Sequence, residues 1–326
     1  VRIALLTNQD LDAVPFPADD WPCDPRPFVP EATWDVITLT RGEAATRLPP
    51  LRDRYDVFFN LCDGAADQAD VPGIDVVHTL ESMGVPFTGA DSAFYEPTRA
   101  QMKRAARSVG VRVPRGGVAK TTHDVDKAAE RLTFPLFVKH HNSYASVGIT
   151  RQSKVATPAG LRRQARRMME RFGFCLIEEY IDGDECTVLV AEDADAPRQP
   201  VTYTPMRYAF PAGESFKHEK LKWEDYAGLG CEPVTDAALA SRLRRAAART
   251  FVALGGTSFG RCDLRVDRKG RVYLLEINPN CGVFYPPTDP GSADLCLLHD
   301  PQGHRGFARR LIATALSRRE RRLAVG

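Results

Sequence analysis

Apolar positions in this chain fall into short runs and alternations separated by turn-forming residues. The first hundred residues alternate strand and helix signals. Residues 1–7 read as a strand, 35–39 as a second, and 56–61 as a third that ends at the polar turn Cys62-Asp63-Gly64. Residues 70–83 carry helical spacing and lead to Val85-Pro86-Phe87. That order predicts a small α/β unit with a mainly parallel sheet. The Pro- and Asp-rich stretch 10–30 has no period and is expected to form a long loop over the sheet.

Proline in the first turn and Gly110 beyond the last predict a helix over 97–109. Residues 111–114 then enter a second unit. It reads as a strand over 136–139, a loop of small polar residues, a strand over 149–152, a basic helix over 158–172 and a strand over 175–180. A third unit starts near Gly183, with strands over 185–191 and 200–208, a polar segment over 211–228 and a helix over 236–254. A hairpin follows, then an arginine-rich helix near 307–323 whose charges read as a solvated face. The expected fold class is α/β with α+β elements, in units 1–96, 97–183 and 184–326.

The hairpin carries the most chemistry. Gly260-Arg261-Cys262-Asp263-Leu264-Arg265-Val266 and Tyr273-Leu274-Leu275-Glu276-Ile277-Asn278-Pro279-Asn280 both alternate, joined by the turn-forming Asp267-Arg268-Lys269-Gly270. Side chains two apart share a strand face. Arg261, Asp263 and Arg265 therefore point one way, and Glu276 and Asn278 share a face with Leu275 and Ile277 behind them. A tight turn makes Asp263 and Glu276 diagonal neighbours. Two carboxylates and an amide oxygen beside an arginine repel one another unless a hard cation sits among them. Oxygen donors of this kind suit Mg²⁺ shared with nucleotide phosphates, so the patch points to an enzyme that uses ATP. A surface ladder of alternating charge is the plain alternative, and the apolar residues behind the acids argue against it.

Composition narrows the partners. Lys plus Arg number 44 against 42 Asp plus Glu, a balance that offers no argument for nucleic acid. No apolar run reaches the roughly 18–20 residues of a membrane span. The start lacks the apolar core and cleavage site of a signal peptide. The 8 cysteines include no Cys-x-x-Cys pair, and Cys175, Cys186 and Cys262 lie in apolar strand-like runs. Reduced cysteines in a cytoplasmic protein are expected.

Lys139 ends the apolar run Phe137-Val138 and precedes His140-His141-Asn142-Ser143-Tyr144-Ala145-Ser146-Val147-Gly148. Backbone N–H groups and hydroxyls of such a loop can fold over phosphates, with Lys139 as a compact positive charge. Glu178-Glu179-Tyr180-Ile181-Asp182-Gly183-Asp184-Glu185 passes from strand through turn to strand, where backbone groups can meet an adenine edge and Glu185 a ribose. Gly116-Gly117-Val118-Ala119-Lys120-Thr121 is a false P-loop, with Ala119 and Pro114 where glycines belong. No Gly-x-Gly-x-x-Gly follows a predicted strand, which counts against a dinucleotide oxidoreductase.

These motifs in this order resemble the ATP-grasp fold and, within it, the D-alanine–D-alanine ligase group. The stretches just quoted carry the resemblance, with Lys222-Trp223 and the run through Cys281-Gly282. Asn60-Leu61-Cys62-Asp63-Gly64 and Val85-Pro86-Phe87-Thr88-Gly89 match the group's N-terminal domain. The resemblance implies three domains: an N-terminal parallel-sheet domain and two that grip ATP. By position it implies that Lys139 contacts phosphates, Glu178 the adenine amino group, Glu179 and Ile181 the adenine through backbone, and Glu185 the ribose. Arg99 stands where an ATP-contacting lysine is usual. Asp263, Glu276 and Asn278 would hold Mg²⁺, or Mn²⁺ in its place. Lys222 would reach the γ-phosphate, Arg261 would stabilise the tetrahedral intermediate, and Ser146 would join the catalytic set. The implied chemistry is phosphorylation of a carboxylate to an acylphosphate, then attack by an amine, on small amino-acid or peptide substrates. A homodimer through the N-terminal domain is common in the group.

Departures bear on substrate more than on chemistry. The group's Gly-Gly-x-Ser-x-Glu signature is missing, and Ala65-Ala66-Asp67-Gln68 replaces a second glycine-rich stretch. After Gly282 a Ser-Leu pair gives way to Val283-Phe284-Tyr285-Pro286-Pro287. Tyr144, Arg265, Phe284 and Tyr285 flank the patch and are expected on the acceptor side. The leading expectation is an ATP- and Mg²⁺-dependent carboxylate–amine ligase on amino-acid-like substrates. A D-alanine–D-alanine ligase with a divergent acceptor pocket and a silent nucleotide-binding module are the alternatives. The joint presence of Arg261, Asp263, Glu276, Asn278 and Lys222 argues against the last.

Overall fold

The computed structural model describes residues 1–323 except 14–15, 17–21, 66–67, 69, 143–146 and 224–227. Strands β1 (Arg2–Thr7), β2 (Thr33–Thr38) and β3 (Val57–Asn60) form a parallel sheet in the order β2-β1-β3. Leu5 lies opposite Val36 on one side and Phe59 on the other. Helices α1 (Ala44–Arg47) and α2 (Ile74–Met83) accompany it. Helix α2 starts four residues later than the apolar spacing suggests. Pro72 and Gly73 precede it, and the Asp75 carboxylate accepts the Gly73 N–H at 2.9 Å to hold that entry.

Helix α3 (Arg99–Ser108) begins at a capping box between Thr98 and Gln101 and packs on elements of the last sheet rather than on the sheet that follows it in sequence. That next sheet is antiparallel, with strands β4 (Gly116–Ala119), β5 (Leu136–His140), β6 (Lys154–Val155) and β7 (Cys175–Glu179) in the order β4-β7-β5-β6. Helices α4 (Thr122–Arg131) and α5 (Pro158–Phe172) cover it. The strand expected over 149–152 is instead a turn of 3-10 helix over Arg151–Ser153. Thr150 N–H donates to Ser153 Oγ at 3.1 Å, a local bond that competes with strand pairing.

The third sheet gathers β8 (Gly183–Ala191), β9 (Val201–Thr202), β10 (Met206–Ala209), β11 (Gly230–Pro233), β12 (Phe259–Asp267) and β13 (Val272–Pro279). Its order is β11-β10-β8-β12-β13, with β9 also on β8. The strand expected over 200–208 is broken into β9 and β10, because Pro205 lacks an N–H for the ladder. Helix α6 (Glu219–Trp223) lies in the polar segment, and α7 (Ala237–Ala253) packs beneath β8 and β13. Helices α8 (Ser292–Leu298) and α9 (Gly303–Leu323) follow, and α9 packs on β3 and β8. One apolar core joins Leu6 and Phe58 of the first sheet to Phe251 of α7 and Leu274 of β13. The parallel sheet and the hairpin are therefore held together by shared burial.

Gly183 opens β8 at φ 145°, and a Cβ there would meet the Val266 carbonyl oxygen at 2.0 Å. Gly183→Ala is expected to lower stability by about 2–3 kcal/mol in urea unfolding. An unchanged midpoint would mean that β8 and β12 part at no cost.

Candidate active site

Hairpin β12–β13 sets the site's geometry. Asp267 closes its turn by accepting the N–H groups of Lys269 and Arg271, each at 2.9 Å. Arg261 pairs with Asn278 and Asp263 with Glu276, so the two acids lie directly opposite, not diagonally. The register then shifts, since Leu264 pairs with Leu274, and Leu275 is the extra residue of a β-bulge. Leu274 and Ile277 are buried in the core, whereas Leu275 lines the cleft next to Glu276. The expectation that Leu275 sits behind the acids is corrected by that bulge.

The cleft has a volume of about 1290 Å³ and is lined by residues of all three sheets. Ligand pockets for drug-sized molecules take roughly 300–1000 Å³, so a nucleotide and a second small molecule fit together here. Arg261 binds Asp263 with two parallel bonds, Nε to Oδ1 at 3.0 Å and Nη2 to Oδ2 at 2.9 Å. Thr187 Oγ1 donates to Asp263 Oδ1 at 2.9 Å and Asn278 Nδ2 to Oδ2 at 3.1 Å. Burial alone would raise the Asp263 carboxyl, but Arg261 and Lys217 outweigh it and hold it well below the usual carboxylate range. Glu276 is likewise pushed up by burial and pulled down further by Arg99 and Lys139, with a net lowering. Arg99 Nη2 stands 2.6 Å from Glu276 Oε2, and its Nη1 donates to the His140 carbonyl at 3.2 Å. The arginine from α3 thus ties the metal-type patch to the loop after β5.

Glu178 is buried at the floor of the cleft between Lys139, at 3.2 Å, and Lys103. Burial, then Lys139 and Arg99, lowers Lys103 to about 6. Burial, then Arg99, lowers Lys139 to about 8. Lys103 was not foreseen, although it lies one helical turn after Arg99 and the i,i+4 spacing puts both on one face. Glu185 faces Lys217 at 3.5 Å, and the Lys217 ammonium lies 3.5 Å from the centroid of the Tyr208 ring. Burial disfavours the Lys217 charge, yet Tyr208, Glu185 and Asp263 raise its pKa overall. Only a weak sequence signal marks Lys217: Phe216 beside it packs edge-on to Phe137 at 4.9 Å and anchors the segment over the cleft. The Glu179 N–H donates to the Arg115 carbonyl at 2.8 Å, and Ile181 lines the cleft.

Other expectations meet different surroundings. Lys222 lies on α6 and its side chain, like Tyr144 and Ser146 as a whole, is outside the described residues. Arg265 lines the cleft, but its Nη2 donates to the carbonyls of Gly183 and Ser215, and it lies over Tyr180 at 4.7 Å. Arg265 thus stands at the end of the cleft formed by the 178–185 segment. Phe284 is buried among Phe28, Phe59 and Phe307 rather than lining the cleft. A φ of 69° turns it inward, and Asp294 Oδ1 accepts its N–H at 2.8 Å. Tyr285 does line the cleft. Its ring lies against Gly282, where a Cβ would meet the hydroxyl oxygen at 2.3 Å.

The donor set fits a hard cation: Asp263 and Glu276 face each other, and Asn278 adds an amide oxygen. Among the described residues no group of three His, Cys, Asp or Glu side chains converges as a metal site. A cation here would need oxygens from a bound ligand. No helix among the described residues is long and apolar enough to cross a membrane.

The family model described as D-ala D-ala ligase C-terminus matches residues 111–285. A D-alanine–D-alanine ligase of Laribacter hongkongensis is 28% identical over 63% of this chain, and the match spans 63% of that protein's length. One from Xanthomonas axonopodis pv. citri is 28% identical over 71% of this chain and 70% of its own. Among solved structures, the D-alanine–D-alanine ligase of Bacillus anthracis complexed with ATP superposes with a TM-score of 0.68 at 18% identity, covering 98% of this chain and 99% of that one. A family match across more than half of the residues, together with a shared fold over nearly the whole length, leads to one conclusion: this chain has the ATP-grasp fold and belongs to the D-alanine–D-alanine ligase family.

Proposed function

We propose that this protein is an ATP- and Mg²⁺-dependent ligase that joins the carboxylate of one amino-acid-like substrate to the amine of another. The observation that carries the reading is the convergence of Arg261, Asp263 and Glu276 with the cations Arg99 and Lys139 in one cleft, with Lys103 buried against Glu178 beside it. A silent module has no need to assemble both sets. Units 1–96, 97–183 and 184–326 serve as its domains.

In the first step a carboxylate oxygen of the donor attacks the γ-phosphorus of ATP, the bond to the β–γ bridging oxygen breaks, and ADP leaves. In the second, the amine nitrogen attacks the acyl carbon. The carbon–oxygen bond to phosphate then breaks, inorganic phosphate leaves, and the nitrogen sheds a proton to give the amide. Lys139 and Arg99 place positive charge along the phosphates. The Leu275 side chain and backbone groups of 179–181 meet the base, with Glu179 limited to its carbonyl because its N–H is engaged. Glu185 takes the ribose hydroxyls. Lys217 faces the transferred phosphate from its perch over Tyr208, and Lys222 follows it on the same segment. Arg261, which already presents a planar fork to a carboxylate, is matched to the oxyanion of the tetrahedral intermediate. Asp263, Glu276 and Asn278 would hold Mg²⁺, which would supply charge neutralisation on the phosphates.

The first test is phosphate release with ATP and Mg²⁺ across pooled L- and D-amino acids and dipeptides, with mass spectrometry of positive pools. The relatives' names make D-alanine the first member of the panel. A product lighter than its two substrates by one water is expected. No release from any pool, with nucleotide binding intact, would overturn the reading in favour of a silent module.

Arg261→Ala is expected to keep nucleotide affinity and lower turnover by about 10²–10³. Asp263 would retain its bonds from Thr187 and Asn278 in that variant. Unaltered turnover would remove Arg261 from the mechanism. Lys139, held at about 8 before nucleotide arrives, is raised by a phosphate beside it. Binding at pH 8 therefore takes up roughly half a proton, and affinity weakens as pH rises above that value. Calorimetry in two buffers of different ionisation heat measures the uptake, and proton release would place the phosphates elsewhere.

A further inference from the structure

The two acids of the hairpin are already engaged by the protein's own donors. A carboxylate offers about four lone-pair positions. On Asp263 they are taken up: Oδ1 accepts Arg261 Nε at 3.0 Å and Thr187 Oγ1 at 2.9 Å, and Oδ2 accepts Arg261 Nη2 at 2.9 Å and Asn278 Nδ2 at 3.1 Å. On Glu276, Oε2 accepts Arg99 Nη2 at 2.6 Å, and among the described residues no other hydrogen bond reaches that carboxylate. Glu276 is therefore the more open oxygen ligand, and Arg99 is what closes it.

The two arginines are held differently. Arg261 lies on the same strand as its acid, and both nitrogens of its fork are met by Asp263. Arg99 crosses from α3, where its backbone N–H donates to Asn142 Oδ1 at 3.0 Å, and its side chain is short of acceptors. Although Arg99 is only 6% exposed, its Nε is covered and has no hydrogen-bond partner. Its Nη1 donates to the neutral His140 carbonyl at 3.2 Å, a long bond. A buried guanidinium with an unmet N–H is costly. Arg99 also lines the cleft and lies close enough to Lys139 to lower that lysine's pKa. A polyanion entering there can supply acceptors to Nε and Nη1 that Glu276 does not.

We infer that Arg99 is an exchangeable counter-ion: it closes Glu276 to a divalent cation until the phosphates of a nucleotide take its guanidinium, so the cleft admits metal together with nucleotide and not before it. The inference rests on the ligase reading and adds an order of binding to it. The exchange makes and breaks no covalent bond. Once the guanidinium turns to phosphate, Glu276 is an uncompensated carboxylate opposite Asp263, and repulsion between the two favours a shared cation. Arg261 stays on its own strand partner throughout.

The test uses the full chain and Mn²⁺ as the probe, read by loss of its free-ion EPR signal with no nucleotide present. The wild type is expected to bind Mn²⁺ more weakly than about 1 mM. Arg99→Gln, which releases Glu276, should bind at least ~10-fold more tightly, and adding Glu276→Gln to that variant should remove the gain. Calorimetry with the non-hydrolysable analogue AMPPNP in EDTA should show Arg99→Gln binding it roughly 10-fold more weakly than the wild type. Opposite changes for metal and nucleotide separate exchange from a loss of structure, which would weaken both. Arg99→Lys keeps a charge in case the glutamine variant does not fold, and it should show smaller changes in the same two directions. Mn²⁺ binding by the wild type tighter than about 1 mM, no gain in a folded variant, or a gain that survives Glu276→Gln would each overturn the inference. Failure of the wild type to bind AMPPNP with Mg²⁺ would overturn the ligase reading and the nucleotide's part in the exchange. That outcome stands apart, because the Mn²⁺ titrations contain no nucleotide.

Discussion

Everything in this cleft depends on holding two carboxylates, Asp263 and Glu276, opposite each other on adjacent buried strands. Like charges at that separation in a low-dielectric wall would drive the strands apart or force protonation. The chain offsets this with two arginines from different places. Arg261 sits two residues away on the same strand and forks onto Asp263. Arg99 comes from a helix more than a hundred residues earlier and reaches Glu276 at 2.6 Å. Helix α3 packs on α7 and β13, which brings Arg99 to Glu276, while Lys103 on the same helix reaches Glu178 of the sheet that follows it in sequence. Electrostatic need and tertiary packing are the same constraint here.

That constraint also shapes the floor of the site. Arg99, Lys103 and Lys139 are crowded together, and their mutual repulsion with burial pulls the two lysines down to about 6 and about 8. Such crowding is unfavourable for the fold taken alone, and Glu178 and Glu276 relieve only part of it. A polyanion such as a triphosphate would relieve the rest, so the strain is a reason to read this floor as a phosphate site.

The loop after Gly282 separates this chain's cleft from what the sequence alone suggests. Phe284 and Tyr285 are neighbours of similar chemistry, and both look like pocket residues in sequence. A positive φ at Phe284 sends one ring into an aromatic cluster with Phe28, Phe59 and Phe307, while the other covers Gly282 at the cleft wall. Asp294 sets this division by accepting the Phe284 and Gly291 N–H groups and contacting His304 at 2.8 Å. The cleft wall after Gly282 is thus fixed by a buried carboxylate on α8.

The sequence by itself determined the strand alternation, the turn at Asp267–Gly270, the helix over 158–172 and the pairing of the Asp263 and Glu276 strands, because each follows from local periodicity and turn chemistry. It also determined the order of nucleotide motifs, since Lys139 and the 178–185 segment are carried by contiguous residues. Only the tertiary structure decided the bulge that turns Leu275 into the cleft, the inward turn of Phe284, and the approach of Lys103 to Glu178 and of Lys217 to Glu185. A bulge depends on what the partner strand tolerates, and a lone charged residue shows no period. Their placement is settled by long-range packing and by the charges of residues far away in the chain, information that no local window contains.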